Sequence, residues 1–202
     1  MDATDISPGE REGVAPQSGY GTVAIIFHWL TVALVVAAFI MGPGGSEERV
    51  YSAAKDFQRE IHEVLGLTVF TLTVLRLAWR KLVPAPERPP APGWMEPLSR
   101  LTHGLLYALL FALPLTAVAG AWLEGHPLTL GLLGNIPPIV PEAHAVGKAV
   151  AEIHTALGDT IMWLAGFHAA AALFHHFILR DAVLISMAPR RWRRSLERTL
   201  PT

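Results

Sequence analysis

Four stretches of the chain are apolar almost without interruption, at residues 22–41, 61–83, 98–123 and 150–179. Each is long enough to cross a bilayer, which takes ~20 mostly apolar residues. None alternates apolar and polar positions as barrel strands do. Backbone in lipid must bond to itself, so the pattern predicts an all-α bundle of four transmembrane helices. Polar punctuation separates the spans: Gly42-Pro43-Gly44-Gly45, the proline-rich run 84–92, and a long segment 124–147 holding Pro127, Pro137, Pro138 and Pro141. The proline run reads as a stiff linker. The long segment has no strong pattern, and loops of that length tend to be functional or to form a lid. Residues 1–20 are acidic, with several Gly and Pro and no basic start before a short apolar core. They read as a disordered tail, not a cleaved signal. The expected organisation is a tail (1–20), a four-helix domain (21–182) and a basic tail (183–202).

Composition agrees with a membrane solvent: 51% hydrophobic and 16% charged residues, with a mean hydropathy of +0.38, exclude a soluble globule. A formal net charge of −1 gives no case for nucleic acid, but the distribution of charge orients the chain. Arg11, Arg76, Arg80, Lys81, Arg88, Arg100, Arg180, Arg190, Arg191, Arg193, Arg194 and Arg198 fall on one side, and Arg49, Lys55, Arg59 and Lys148 on the other, twelve against four. The positive-inside rule then puts both termini in the cytoplasm. The RRWRR run of the tail fits contact with anionic lipid and fits a topology determinant equally. Trp29 and Trp79 fit the interfacial aromatic belt.

The chain has no cysteine but nine histidines, which excludes disulfides, thiolate metal sites and the covalent haem attachment of c-type cytochromes. His28 lies near the cytoplasmic start of the first span, His62 at the outer start of the second and His103 near the cytoplasmic start of the third. The fourth span carries His154, His168, His175 and His176 in order of depth. Fourteen helical residues cover about 21 Å and nearly four turns, so His154 and His168 share a face at two depths. His62 can meet His154 and His28 can meet His168, an arrangement that suits two bis-imidazole haems. Glu60 to Gly66 and Glu152 to Gly158 share E-I-H-x-x-L-G. Gly66 and Gly158, one turn beyond their histidines, would clear a porphyrin or would permit close helix packing. A zinc or di-iron site would want carboxylates beside histidine; Glu63 and Asp159 are candidates, but no Glu-x-x-His repeat exists. His126 and His144 read as solvated loop residues, and His176 as lipid-edge or packing.

These residues resemble the bacterial cytochrome b-561 family. The marks are Phe27-His28-Trp29-Leu30, Ile61-His62, Val74 to Leu77, His103 to Tyr107, Ala112-Leu113-Pro114, His154, the run GFHAAAALFHH ending in His176, and the segment 181–189. The best-understood members are superoxide oxidases, which pass electrons from superoxide to ubiquinone; related four-helix cytochromes serve formate dehydrogenases and nickel–iron hydrogenases. The resemblance implies an inner-membrane superoxide:ubiquinone oxidoreductase with two b-type haems. His28 and His168 would ligate the inner iron, and His62 and His154 the outer. His103 and His175 match non-ligand histidines near the inner haem, suited to deliver protons to a quinone. Arg76 would bind a haem propionate or a quinone headgroup, or else snorkel to lipid. Arg49, Lys55, Arg59 and Lys148 would steer superoxide, or are ordinary loop charges. Rival readings are a cytochrome subunit fed by a periplasmic dehydrogenase or hydrogenase, and a haem-free transporter or sensor.

Overall fold

The computed structural model describes residues 20–44, 50–83 and 93–199. Residues 1–19 of the expected N-terminal tail, the linker 84–92, and Arg11, Arg49 and Arg88 lie outside the described residues. Four long helices form the body: α1 (Thr22–Met41), α2 (Asp56–Leu82), α3 (Met95–Leu123) and α4 (His144–Phe174). All four are long and apolar enough to span a membrane. Their outward faces carry large apolar side chains such as Ile40, Trp163, Phe167 and Phe174. Such exposure is what lipid, not water, accommodates.

Helix ends run past the apolar stretches where polar residues suit them. Asp56 opens α2, and Arg80 and Lys81 close it, matching the positive N-terminal and negative C-terminal ends of the helix dipole. Pro114 sits inside α3 and offers no N–H to the carbonyl of Leu110 one turn back. Helices α3 and α4 cross closely at two glycines. A Cβ on Gly147 would stand 2.7 Å from Glu124 Cγ, and one on Gly120 would stand 3.4 Å from the Ala151 nitrogen. Halfway along the bundle Val69, Leu109, Leu110 and Ile161 form the core. Ile161 is seven residues from both His154 and His168 on the same helix, so buried hydrocarbon separates the two histidine levels.

Of the long segment 124–147, residues 128–136 make a small cap. Strand β1 (Leu128–Thr129) pairs antiparallel with β2 (Asn135–Ile136), matching Leu128 with Ile136, around a single 3₁₀ turn (Gly131–Leu133). Gly131 and Gly134 have φ of 60° and 94°, left-handed values at which a side chain is strained. At the opposite end α4 passes into a π turn, His175–Leu179, and Arg180 follows with φ 55°. Two short helices then fold back, α5 (Val183–Met187) and α6 (Arg190–Glu197). The Tyr20 N–H donates to the Ser186 carbonyl, so the start of α1 and the C-terminal segment share one end of the bundle. This is called the tail end below, and the other the hairpin end.

Candidate functional site

At the hairpin end, His62 of α2 and His154 of α4 face each other with ring centres 6.0 Å apart. Helix α1 ends just beside them. The Gly42 N–H turns back to the Phe39 carbonyl, leaving the Ala38 carbonyl without that intrahelical donor. His62 Nδ1 donates to Ala38 O at 2.7 Å. His154 Nδ1 likewise donates to Leu113 O at 2.9 Å, beside Pro114 of α3. A carbonyl only accepts, so both rings carry their hydrogen on Nδ1 and keep the lone pair on Nε2. This is how metal-binding histidines are commonly oriented by outer partners.

Both imidazoles line one cavity of about 790 Å³, counted out to its open side. All four helices and the cap contribute to its wall, through residues such as Phe39, Leu67, Val118, Leu128 and Ile161. Apart from the two histidines, Glu63 is the one titratable side chain on that wall among the described residues. Gly66 and Gly158 also line it, and a Cβ on either would meet nothing within 4 Å. Close helix packing is therefore not their role; Gly120 and Gly147 do that elsewhere. Two imidazole nitrogens each ~2 Å from one metal put the ring centres about 6 Å apart, so the pair, the cleared glycines and the apolar walls fit a flat iron macrocycle. Among the described residues no group of three or more His, Cys, Asp and Glu could hold a metal ion.

At the tail-end level, His28 of α1 and His168 of α4 have ring centres 6.4 Å apart, the same spacing one storey further along. A third ring, His103 of α3, lies 5.1 Å from His168 and donates from Nδ1 to the Ser99 carbonyl at 2.6 Å. The structure thus brings together each expected pair and adds His103 as a neighbour of the second. Arg76 lies with its guanidinium 5.5 Å over the ring of Tyr107, turned towards α3. His175 bonds the Asp181 carboxylate through Nδ1 at 2.5 Å, while the other carboxylate oxygen accepts from Val183 N–H. Asp181 as a partner for His175 was missed by sequence reasoning. The π turn that brings it back leaves no signal except the polar stop at Arg180-Asp181. Trp29 packs edge-on to His28 and donates its indole N–H to the Met187 carbonyl.

Several expectations need correction. His126 is not merely solvated but stacks on Tyr51 with ring centres 3.4 Å apart. His144 is exposed, as expected of a solvated loop residue, and also pairs with Glu142. Of the two readings of His176, packing holds, since the residue is buried at 2% exposure. Arg59 is no free steering charge. It is paired with Glu63 at 2.7 Å and Asp56 at 3.2 Å and lies over Tyr51. Lys55 bonds Gln58, and Lys148 is exposed.

A family model described as prokaryotic cytochrome b561 matches residues 19–190. Similar curated proteins include cytochrome b561 homolog 1 of Escherichia coli (strain K12), 32% identical over 180 residues that make up 85% of this chain and 98% of that protein. Cytochrome b562 of Cereibacter sphaeroides is 30% identical over 85% of this chain and 96% of its own length. The probable superoxide oxidase CybB of Yersinia pestis is 29% identical over 85% and 97% respectively. A match of this extent, on a bundle with four spans, settles the family: the chain belongs to the prokaryotic cytochrome b561 proteins, multi-pass haem proteins of the bacterial inner membrane that carry electrons.

Proposed function

We propose that this chain holds two b-type haems at two levels and couples one-electron oxidation of superoxide at the hairpin end to reduction of a quinone at the tail end. The observation that carries the reading is the repeated spacing of facing imidazoles, 6.0 Å for His62 and His154 and 6.4 Å for His28 and His168. When bound, haem supplies a one-electron iron couple. The residues of the chain supply the rest. His62 and His154 hold one iron in the orientation fixed by the Ala38 and Leu113 carbonyls, and Gly66 and Gly158 leave room for the ring. Leu128 of the cap adds an apolar side chain to the wall at that level. His28 and His168 hold the second iron, with Arg76 placed to meet a propionate or a quinone headgroup. In net terms, two superoxide anions give up one electron each as they become dioxygen, and the quinone takes two electrons and two protons. His103 and His175 deliver the protons, His175 from a ring held by Asp181. The positive-inside rule puts the tail end in the cytoplasm. The likeness to a probable superoxide oxidase supports the donor.

A second donor has one observation in its favour. Among the described residues near the hairpin end stand the acidic residues Asp56, Glu60, Glu63, Glu124, Glu142 and Glu152 and the basic residues Lys55, Arg59 and Lys148, six against three. That balance suits a cationic redox protein, such as a periplasmic dehydrogenase or its carrier, better than an anion. Purified protein pulsed with superoxide in the presence of a ubiquinone analogue tests the proposal. Haem reduction followed by quinol formation is expected; unreduced haem with full activity towards a co-purified donor would favour the second reading.

A further inference from the structure

Helix α6 has a face that the electron-transfer reading does not use. At ~100° per residue, Arg190, Arg191, Arg194 and Arg198 fall within one sector of the helix and its first following residue, bordered by Glu197, and all four are exposed. The opposite side fastens the helix to the bundle. Arg193 donates through Nε to the Ala188 carbonyl at 3.1 Å and through Nη2 to the carbonyls of Tyr20 and Ser186, each at 3.2 Å. Trp192 meets Trp29 edge-on at 6.2 Å. Just beyond the helix, the Thr199 hydroxyl donates to Leu196 O at 2.6 Å and lies 3.0 Å from His176 Nε2. A hydroxyl has one hydrogen, so His176 is the donor in that second bond.

Five anchors on one side and, on the other, four guanidinium groups with no ion pair among the described residues make a rigid cationic foot, not a loose charged tail. Its position selects the partner. The segment lies where α1 begins and α4 ends, at the edge of the apolar spans, and its Trp192 and the Trp29 of α1 that it meets are of the type that collects at headgroup depth. Guanidinium forks match phosphate oxygens two at a time. Arg191 also lies 5.1 Å over the Trp192 ring, a contact that leaves its N–H groups available. We infer that the arginine face of α6 docks anionic phospholipid headgroups. The inference is independent of the identity of the electron donor.

The alternative, that these arginines serve only to orient the chain during insertion, predicts no lipid preference once the protein is purified. The haem-loaded full chain in mild detergent is supplied with equal amounts of phosphatidylglycerol and phosphatidylcholine, and the lipids retained are weighed by native mass spectrometry. Wild type is expected to retain phosphatidylglycerol in preference, less so as ionic strength rises. The exposed quadruple variant R190Q/R191Q/R194Q/R198Q should lower that preference at least about tenfold with an unchanged haem spectrum. An R80Q/K81Q variant at the end of α2 should keep it. Equal retention of both lipids by wild type, an unchanged preference in the quadruple variant, or an equal loss in R80Q/K81Q would each overturn the inference.

Discussion

Glycine at residues 66 and 158 is informative because its missing side chain faces empty space instead of a neighbouring helix. Gly158→Leu should therefore fold normally yet fill the room that the proposed haem needs beside His154. The expected result is one haem lost per polypeptide, read by the pyridine haemochrome assay, with the tail-end pair still loaded. His62→Ala and His154→Ala should lose the same haem by removing a ligand. Full haem content in Gly158→Leu would mean that the cavity serves something else. At this scale much of the site was legible in the sequence, because intramembrane histidines at helical spacing leave few alternatives. The E-I-H-x-x-L-G echo even marked the two glycines that line the cavity. What stayed hidden was partnership across elements: the Ala38 and Leu113 carbonyls, being backbone, carry no residue-type signal, and Asp181 reaches His175 only through the π turn.

The cap over the hairpin end depends on one carboxylate. Glu63 accepts the Thr129 N–H at 2.7 Å with one oxygen and pairs with Arg59 through the other, so it ties α2 to β1. Its side chain is 13% exposed, and a charge-assisted hydrogen bond so placed is worth about 1.5–3 kcal/mol. Glu63→Gln should make amide exchange at Thr129 about tenfold faster, a loss of ~1.4 kcal/mol, while leaving the helices protected. Unchanged exchange at Thr129 would show that the strand pairing holds the cap unaided. Hydrophobic patterning found α1 at its observed bounds but started α2 and α4 five and six residues late. It measures the apolar slab, whereas the helices continue through polar turns such as 56–60 and 144–149. The hairpin escaped notice because two-residue strands have no alternation to read. The α5 and α6 helices escaped because a run of arginines looks like a solvated tail until Arg193 is seen clamping three carbonyls.

Across the described residues of the molecule the two ends carry opposite charge. Among the described residues the hairpin end sums to three basic minus six acidic residues, or −3, and Arg59 is neutralised by Glu63 and Asp56. An anion arriving from solution therefore meets net repulsion, with exposed Lys148 the clearest local exception. Salt weakens long-range fields: the screening length shrinks from about 30 Å at 0.01 M to about 8 Å at 0.15 M. The second-order rate of haem reduction by pulsed superoxide should accordingly rise several-fold between those ionic strengths. A cationic protein donor would show the reverse, a rate that falls as salt screens its attraction to the same acidic surface. The sign of the salt dependence, measured with each donor on the same preparation, separates the two. A superoxide rate that falls with added salt would mean that a few local cations, led by Lys148, outweigh the acidic total.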